Sequence, residues 1–378
     1  MSLQISPVRT RREREALLRF PWKIYRGDPL WVPPFLPERR ARLDPATSPL
    51  IRAGGQIGAW LARRNGQVVG TVAGAVDRHA NQYFGRQEAT FGFFECVNDY
   101  AVVEALLATV ADWARGLGMT TLFGPRNFSG NDEPGLLIEG REFPPVMLMA
   151  HTPVYYPALV ERFGFEKFGD LYAYRLCPAD FGNSADGLPP KLLRVVEAVR
   201  QHIGVAIRKA DLSHWDQEAE TARLLFNQAL KHLPDHVPLT RDAWGRFVED
   251  LRPLLDEDLI LFAEVDGEPV GWALALPDIN QAFIHASGGR YPWHFVKLWW
   301  YSRHIKVASF KIVAVLEAYR GRGLDALLYY EMGRAMLAKG YEWADGSLVS
   351  EYNPMMNRIV ERLGGKRYKL YRVYQLKL

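Results

Sequence analysis

The sequence predicts an α/β (α+β) chain of two similarly organised halves in tandem, each a mostly antiparallel mixed sheet flanked by helices. Three observations carry this. Trp60-Leu61-Ala62 followed by Asn65-Gly66-Gln67-Val68-Val69-Gly70 recurs 201 residues on, as Leu261-Phe262-Ala263 followed by Asp266-Gly267-Glu268-Pro269-Val270-Gly271. Val160-Glu161-Arg162-Phe163-Gly164 recurs 200 residues on, as Val360-Glu361-Arg362-Leu363-Gly364, and the register continues through Phe168/Tyr368, Tyr174/Tyr374 and Leu176/Leu376. Between these blocks each half carries a helical pattern closed by a glycine, 99–117 before Gly118 and 325–339 before Gly340. Two blocks in one order at nearly one offset mark a structural repeat.

Each element has a local cause. Asn65-Gly66 and Asp266-Gly267 sit between apolar runs, where a type I′ turn needs positive φ at both central positions, so each half opens with a tight hairpin. Val102, Ala105, Leu106, Val110 and Trp113 recur at helical spacing in the first helix. Pro, Gly, Asn, Ser and Asp cluster over 177–190 and break the chain there, giving expected domains of 1–180 and 190–378. The second half reads as strand 205–209, helices near 216–231 and 241–255, and strands 259–265 and 268–276. It continues as strand 309–316, helix 323–339, strand 342–348, helix 354–363 and a final strand near 369–376, an order in which helices cover a largely antiparallel sheet.

Bulk composition narrows the partners. The 378 residues are 48% apolar and 24% charged, with no biased tract, and 378 residues is long for one core. A net charge of +4 is mild: it fits an anionic ligand or a membrane surface and does not call for nucleic acid. The arginines of 9–14 and 39–42 stand among glutamates and read as a solvated face. Two cysteines, Cys96 and Cys177, suit a reducing compartment and are too few for a cysteine metal site. No apolar run approaches the roughly 18–20 residues a bilayer span needs. A cytoplasmic protein is expected, either free or peripheral at the inner membrane.

One turn carries chemistry. Lys311-Ile312-Val313-Ala314-Val315-Leu316 runs into Glu317-Ala318-Tyr319, then Arg320-Gly321-Arg322-Gly323-Leu324, then a helix. Glycines let the backbone approach a ligand closely, and the unpaired N–H groups and dipole of a helix start favour an anion. Arg320 and Arg322 add forked donors for phosphate oxygens. A tight strand–helix turn without a ligand has the same local sequence.

The placement of this turn after a hairpin-paired strand, with Asn353 and Met356 opening the next helix, resembles the GNAT superfamily of acyl-CoA N-acyltransferases. The family's Arg-x-x-Gly-x-Gly/Ala pattern falls on Arg320-x-x-Gly323-x-Asp325. The resemblance implies that Tyr319, Arg320, Gly321, Arg322, Gly323 and Leu324 bind the coenzyme A pyrophosphate. By the same resemblance Val313, Val315 and Asn353 line the thioester arm, acyl-CoA is the donor substrate, and no metal is needed. In the first half Cys96-Val97-Asn98-Asp99 stands where the turn should be, and Asn98-Asp99 reads as a helix cap, so that half is a degenerate copy. Two positions depart from the pattern. Asp325 replaces a small residue at the last motif position, and Val360 stands where the family often has a proton-donating tyrosine.

Acyl transfer to an amine requires the neutral amine, which at pH 7 is scarce by about three units for a pKa near 10, a deficit of roughly 4 kcal/mol. A placed carboxylate relieves part of it. Glu351, after the 342–348 strand and beside Asn353, is the first candidate, and Glu95, ending the matching strand of the first half, is a weaker one. Tyr352, Tyr371 and Tyr374 are candidate acids, Asn353 stands with Glu351, Tyr352 and Tyr374 among the candidate catalytic residues, and a backbone N–H of 313–315 is the candidate oxyanion donor.

Three further stretches stand out. From Gly118 to Val160 the first half is 22 residues longer than the second from Gly340 to Val360. That loop, 124–132 and on through Pro145, is expected to reach the second half and wall an acceptor cleft, with 27–34 as part of the same wall or a rigid surface turn. Tyr291-Pro292-Trp293-His294-Phe295-Val296-Lys297-Leu298-Trp299-Trp300-Tyr301, flanked by Arg303, His304 and Lys306, suits either a membrane interface or an aromatic core helix. His232 and His236 share i, i+4 spacing, but Pro234 between them argues against a ligand pair. Residues 28–34, 91–95 and 127–132 together resemble a bacterial tandem branch of the superfamily that includes ceramide-forming N-acyltransferases. That resemblance implies a small-molecule or lipid amine as acceptor, a sphingoid amine among them, and leaves open acyl carrier protein in place of coenzyme A. Small-molecule N-acetyl transfer and non-catalytic acyl-CoA binding are the competing readings.

Overall fold

The computed structural model describes residues 2–128, 133–202, 204–232 and 236–378, apart from the side chain of Asp250. The loop residues 129–132 and Pro234, singled out above, lie outside the described residues. The first half supplies β1 (Leu3–Pro7), β2 (Gln56–Arg64), β3 (Gln67–Val76), β4 (Glu88–Cys96), β5 (Thr121–Gly124), β6 (Leu136–Glu139) and β7 (Glu166–Leu176). The second supplies β8 (Val205–Lys209), β9 (Ile260–Val265), β10 (Glu268–Pro277), β11 (Val307–Val315), β12 (Trp343–Ser350) and β13 (Lys366–Lys377).

The repeat is real at every level that local sequence controls. Both hairpins turn with positive φ at the two expected positions, 51° and 76° at Asn65 and Gly66 and 53° and 83° at Asp266 and Gly267. Asp99 caps the helix Tyr100–Gly116 by accepting from the Ala101 N–H, and Gly118 follows its end. The matching second-half helix is Leu324–Ala338. Helix Arg241–Leu251 stops short of the expected 255 because Pro253 enforces a tighter 3₁₀ turn, Arg252–Leu254.

Twelve of the strands join in one path, β1-β2-β3-β4-β5-β13-β7-β12-β11-β10-β9-β8, and β6 pairs antiparallel with β13 off it. The halves exchange their closing strands: β7 pairs antiparallel with β12 of the second half, and β13 pairs antiparallel with β5 of the first. The two exchanged strands pair with each other at the middle of the path. Segments 1–180 and 190–378 therefore each need a strand of the other to complete their hydrogen bonding. The connector between them forms 3₁₀ turns and then helix Pro190–Arg200, whose Val196 and Val199 are buried in the second-half core.

Each half has a helix-backed core. In the first, Val102, Leu106, Leu107 and Val110 pack on Trp60, Val72 and Phe91. In the second, Leu324, Leu327, Leu328 and Met332 pack on Leu261, Ala273 and Ala308. A third cluster joins Leu137, Met147, Met149 and Tyr371 to Phe262, Trp272 and Ile279, so the long first-half loop is buried against the second half.

Candidate functional site

Each half contains one parallel strand pair, and each pair parts after a few residues. β4 and β5 pair over Glu88–Thr121, Ala89–Leu122 and Thr90–Phe123; β11 and β12 pair from Val307–Trp343 to Phe310–Gly346. Beyond the last pair the strands diverge and leave a wedge whose backbone groups need other partners.

In the first half the wedge is filled from within. The Arg126 N–H donates to the Phe91 carbonyl at 2.7 Å, and the Phe93 N–H donates to Asn127 Oδ1 at 2.7 Å. The contact is so close that a Cβ on Gly92 would lie 2.0 Å from the Arg126 carbonyl oxygen. Asn127 in turn donates to Glu133 at 2.8 Å, and Glu133 pairs with buried Arg39.

In the second half the wedge stays open. Phe310, Lys311, Ile312 and Val313 on one side and Gly346, Ser347 and Leu348 on the other line a cavity of about 2010 Å3 shared by both halves. At its apex lies a buried polar cluster. Lys311 Nζ donates to the Met147 carbonyl at 2.9 Å and lies 4.0 Å from Asp345. Asp345, fully buried, also accepts from the Ser309 and Tyr368 hydroxyls at 2.7 and 2.9 Å. Asp278 accepts from the Met147 N–H at 2.9 Å. Desolvation holds the Lys311 ammonium below its usual pKa, against the opposing pull of Asp345 and Asp278. Burial pushes the Asp278 carboxyl up to about 7 despite the Met147 N–H and Lys311.

The glycine-rich turn leads out of the same strand. Gly321 and Gly323 adopt φ of 72° and 83°, and helix Leu324–Ala338 starts with no side-chain cap. Among the described residues, the backbone N–H groups from Gly321 through Ala326 have no protein acceptor, and Asp325 does not bond them. Leu324 and Val315 are buried, Arg322 lies over the Tyr319 ring at 5.2 Å, and Gly321 is open. Arg320 turns inward, donating to the Val315 carbonyl at 3.2 Å and to the Ala229 carbonyl, which fixes the turn to helix Trp215–Leu230.

The remaining sequence candidates divide. Tyr352 and Asn353 lie on the cavity wall with Val313. Asn353 also caps helix Pro354–Arg362 by accepting from the Met356 N–H, and the exposed Tyr352 donates to the Phe168 carbonyl at 2.7 Å. Glu351 lies outside the cavity lining: its carboxylate accepts from Lys167 Nζ and the Asp170 N–H, both at 2.9 Å, which ties the turn to β7. Tyr374 is fully buried and donates to Glu161 at 2.8 Å, and Tyr371 donates to the Ala150 carbonyl at 2.9 Å. Val360 is packed with Tyr174 and Val349.

Glu95 stands on the cavity wall at its first-half end. Tyr25 donates to both of its oxygens at 3.1 Å and Tyr156 to one at 2.6 Å, yet desolvation outweighs these bonds and pushes the carboxyl up to about 8. Nearby His151 bonds Asp28 at 2.7 Å, while its Nδ1 is buried without a partner. Trp31, Pro33 and Phe35 extend that wall, so the 27–34 stretch is part of it. Sequence reasoning missed Lys311, Asp345, Asp278, Tyr25, Tyr156 and His151. For the first two a signal existed, a lone charge inside an otherwise apolar strand, Phe-Lys-Ile-Val and Trp-Ala-Asp-Gly.

No protein-family model matches the chain. The bacterial ceramide synthase of Caulobacter vibrioides is 32% identical over 380 residues, covering 99% of this chain and 97% of that protein. The chain belongs to the bacterial ceramide synthase family. Protein YghO of Escherichia coli is 30% identical, over 97% of this chain and 93% of its own. A tandem GNAT protein from the clavulanic acid biosynthesis pathway superposes with a TM-score of 0.61 at 16% identity, covering 100% of this chain and 98% of the other. A GCN5-related glucosamine N-acetyltransferase region of a fungal multi-domain β-N-acetylglucosaminidase gives 0.58 at 15% identity, covering 99% of this chain and 38% of that one. The family member is thus a tandem GNAT fold and an N-acyltransferase.

Proposed function

We propose that the enzyme moves a long acyl group from coenzyme A to a lipid amine, with the donor in the second half. The open wedge supports this most directly. It connects an uncapped, glycine-lined helix start to a cavity large enough for two aliphatic chains. In this reading the N–H groups from Gly321 to Ala326 take the pyrophosphate, with Arg322 beside it. The pantetheine arm then follows β11 past Val315 and Val313, with Tyr352 and Asn353 flanking it. Glu351 holds that turn in place from behind.

Lys311 takes the proton. Burial disfavours the charged form of Lys311, so its amine can accept a proton from the acceptor's ammonium, and the ammonium it becomes is stabilised by Asp345. The freed amine attacks the thioester carbon, a backbone N–H of 313–315 steadies the oxyanion, the C–N bond forms and the C–S bond breaks. As the C–S bond breaks, the departing thiolate takes the second proton from the acceptor nitrogen, leaving a neutral amide and free thiol, and Lys311 releases the proton it took to water, which returns the site to its starting charge.

The acceptor class rests on the apolar wall of Met147, Leu148, Met149, Ile279 and Phe283, where each buried methylene contributes about 0.8 kcal/mol. The ceramide synthase relative bears the name of an enzyme whose product is an N-acylated lipid amine. The test is thiol release from acyl-CoAs of increasing length against a panel of amines. Transfer should rise with acyl length and favour long-chain amines such as a sphingoid base. A preference for acetyl-CoA with a polar amine would overturn the lipid assignment, and acyl carrier protein as the better donor would overturn the coenzyme A assignment.

A further inference from the structure

The aromatic stretch of the sequence is a surface helix, Trp293–Tyr301, whose polarity is inverted. Inward it presents buried His294, with Leu298 and Tyr301 packed against the core. Outward it presents Trp293, Val296, Trp299 and Trp300 at 60, 69, 57 and 57% exposure, with Tyr291 and Phe295 at the margin. A water-facing helix normally turns its polar side out. Contiguous apolar exposure of this kind marks a binding surface.

Along the chain the charge of this segment has one sign. From Ile279 to Leu316 the chain has no Asp or Glu, while Arg290, Lys297 and Arg303 lie on or beside the helix; Lys306 beyond it pairs with Glu342. One cation sits on an aromatic ring, the Arg303 guanidinium 3.7 Å from the Trp299 ring centroid, and the His304 ring is tilted against Trp300 at 5.1 Å. Tryptophan rings with a basic rim match the headgroup boundary of an anionic bilayer, where indole is favoured and each cation adds attraction. The helix also borders the cavity, since Leu298, Ser302 and Phe283 line its wall. No helix among the described residues is long and apolar enough to cross a membrane.

We infer that this helix docks the enzyme onto an anionic phospholipid surface, its tryptophans at the headgroup boundary and the cavity beside them. Delivery of a lipid amine from the leaflet into the cavity rests on the proposed function; the docking itself does not.

Co-sedimentation with vesicles of pure phosphatidylglycerol or pure phosphatidylcholine tests it. The wild-type protein should bind phosphatidylglycerol vesicles at least about tenfold more tightly, lose that preference in high salt, and show a blue shift of tryptophan emission on binding. Trp293→Ser/Trp299→Ser/Trp300→Ser should lower binding to phosphatidylglycerol by about tenfold or more, and Lys297→Glu/Arg303→Glu should erase the lipid preference. Equal or absent binding of the wild-type protein to both vesicles overturns the inference and needs no variant. So does a wild-type dimer in light scattering that the triple variant abolishes, because a second copy would then be the occupant. Transfer to a short, water-soluble amine without vesicles should be unchanged in the triple variant, which shows that it is folded. Failure of the wild-type protein to transfer to any amine, short or long, would count against the transferase reading and leave the vesicle result standing.

Discussion

The two wedges of this enzyme begin alike and end differently. Both arise where a parallel strand pair parts, both follow a strand of nine residues, and both open toward the same cavity. In the first half the peptide that follows β5 folds back onto β4 and satisfies it, so that Arg126 and Asn127 occupy the space a substrate would need. The second half has no such peptide, because the chain there is 22 residues shorter between Gly340 and Val360. In the proposed reading, a duplicated fold yields one donor site by closing one wedge with a local insertion. The same insertion is put to use beyond the plug. Its continuation binds the open wedge through Met147, whose N–H meets Asp278 and whose carbonyl meets Lys311.

The largest expected effect follows from removing the proposed proton acceptor of the open wedge, Lys311. Lys311→Met should lower kcat by about 10²–10⁴-fold with little change in KM for acyl-CoA. Lys311→Arg is the sharper variant, since guanidinium keeps the charge beside Asp345 and does not deprotonate near neutral pH. It should fail as Met does. Retained activity in Lys311→Arg would assign Lys311 a structural role and return the search to other groups on the wall.

Next in size is Gly323. Its φ of 83° costs a side chain roughly 1–2 kcal/mol, and a Cβ there would lie 2.7 Å from side-chain carbons of Val195 and Val199. Gly323→Ala should therefore displace the turn and raise KM for acyl-CoA by about tenfold while leaving KM for the amine unchanged. Equal increases in both constants would show that the turn does not distinguish donor from acceptor. Asn127→Ala tests the plug itself. It removes the bonds to Phe93 and Glu133, and at about 1–3 kcal/mol for an orphaned donor it should lower stability without creating a second donor site. Calorimetric titration with acyl-CoA should give one site per chain in both proteins; a second site in the variant would mean the plug alone had kept the halves unequal.

What could be read from the sequence was what short-range chemistry controls. Asn65-Gly66 and Asp266-Gly267 force their turns, Asp99 caps its helix, and the glycine-rich turn opens its helix at the expected place. The strand exchange was not legible. β7 and β13 each present one pattern that either half could satisfy, and Phe168/Tyr368 to Leu176/Leu376 are near-copies, so nothing local says which partner each takes. Glu351 shows the same limit at the site. Its place after a strand and beside Asn353 fits a base, but Lys167 and Asp170, its actual partners, lie more than 180 residues earlier. Lys311 was hidden in the opposite way: it sits inside a strand that otherwise reads as core, and its partner Met147 comes from the other half.

The smallest effect concerns the carboxylates that the two wedges keep out of water. Glu95 at the closed wedge is pushed up to about 8, and Asp278 behind the open one to about 7, in both cases first by desolvation. Each pKa is raised on folding, so between the unfolded value near 4 and the folded value the native state holds a proton that the unfolded chain has released. Stability is then fully present below about pH 4 as far as these two groups are concerned, and it falls as pH rises toward 8. Glu95→Gln removes the ionisation and keeps an acceptor for the Tyr25 and Tyr156 hydroxyls. Its Tm relative to the wild-type protein should therefore climb between pH 6 and pH 9 by about 2–4 °C per kcal/mol recovered, most of the rise coming below about pH 8. Asp278→Asn should show the same sign with its midpoint nearer 7, and a smaller rise, because its carboxylate is offset by Lys311. A Glu95→Gln curve parallel to the wild-type one would mean that Glu95 is ionised without cost. The closed wedge would then be a polar pocket, and its tyrosines would be holding a charge in place.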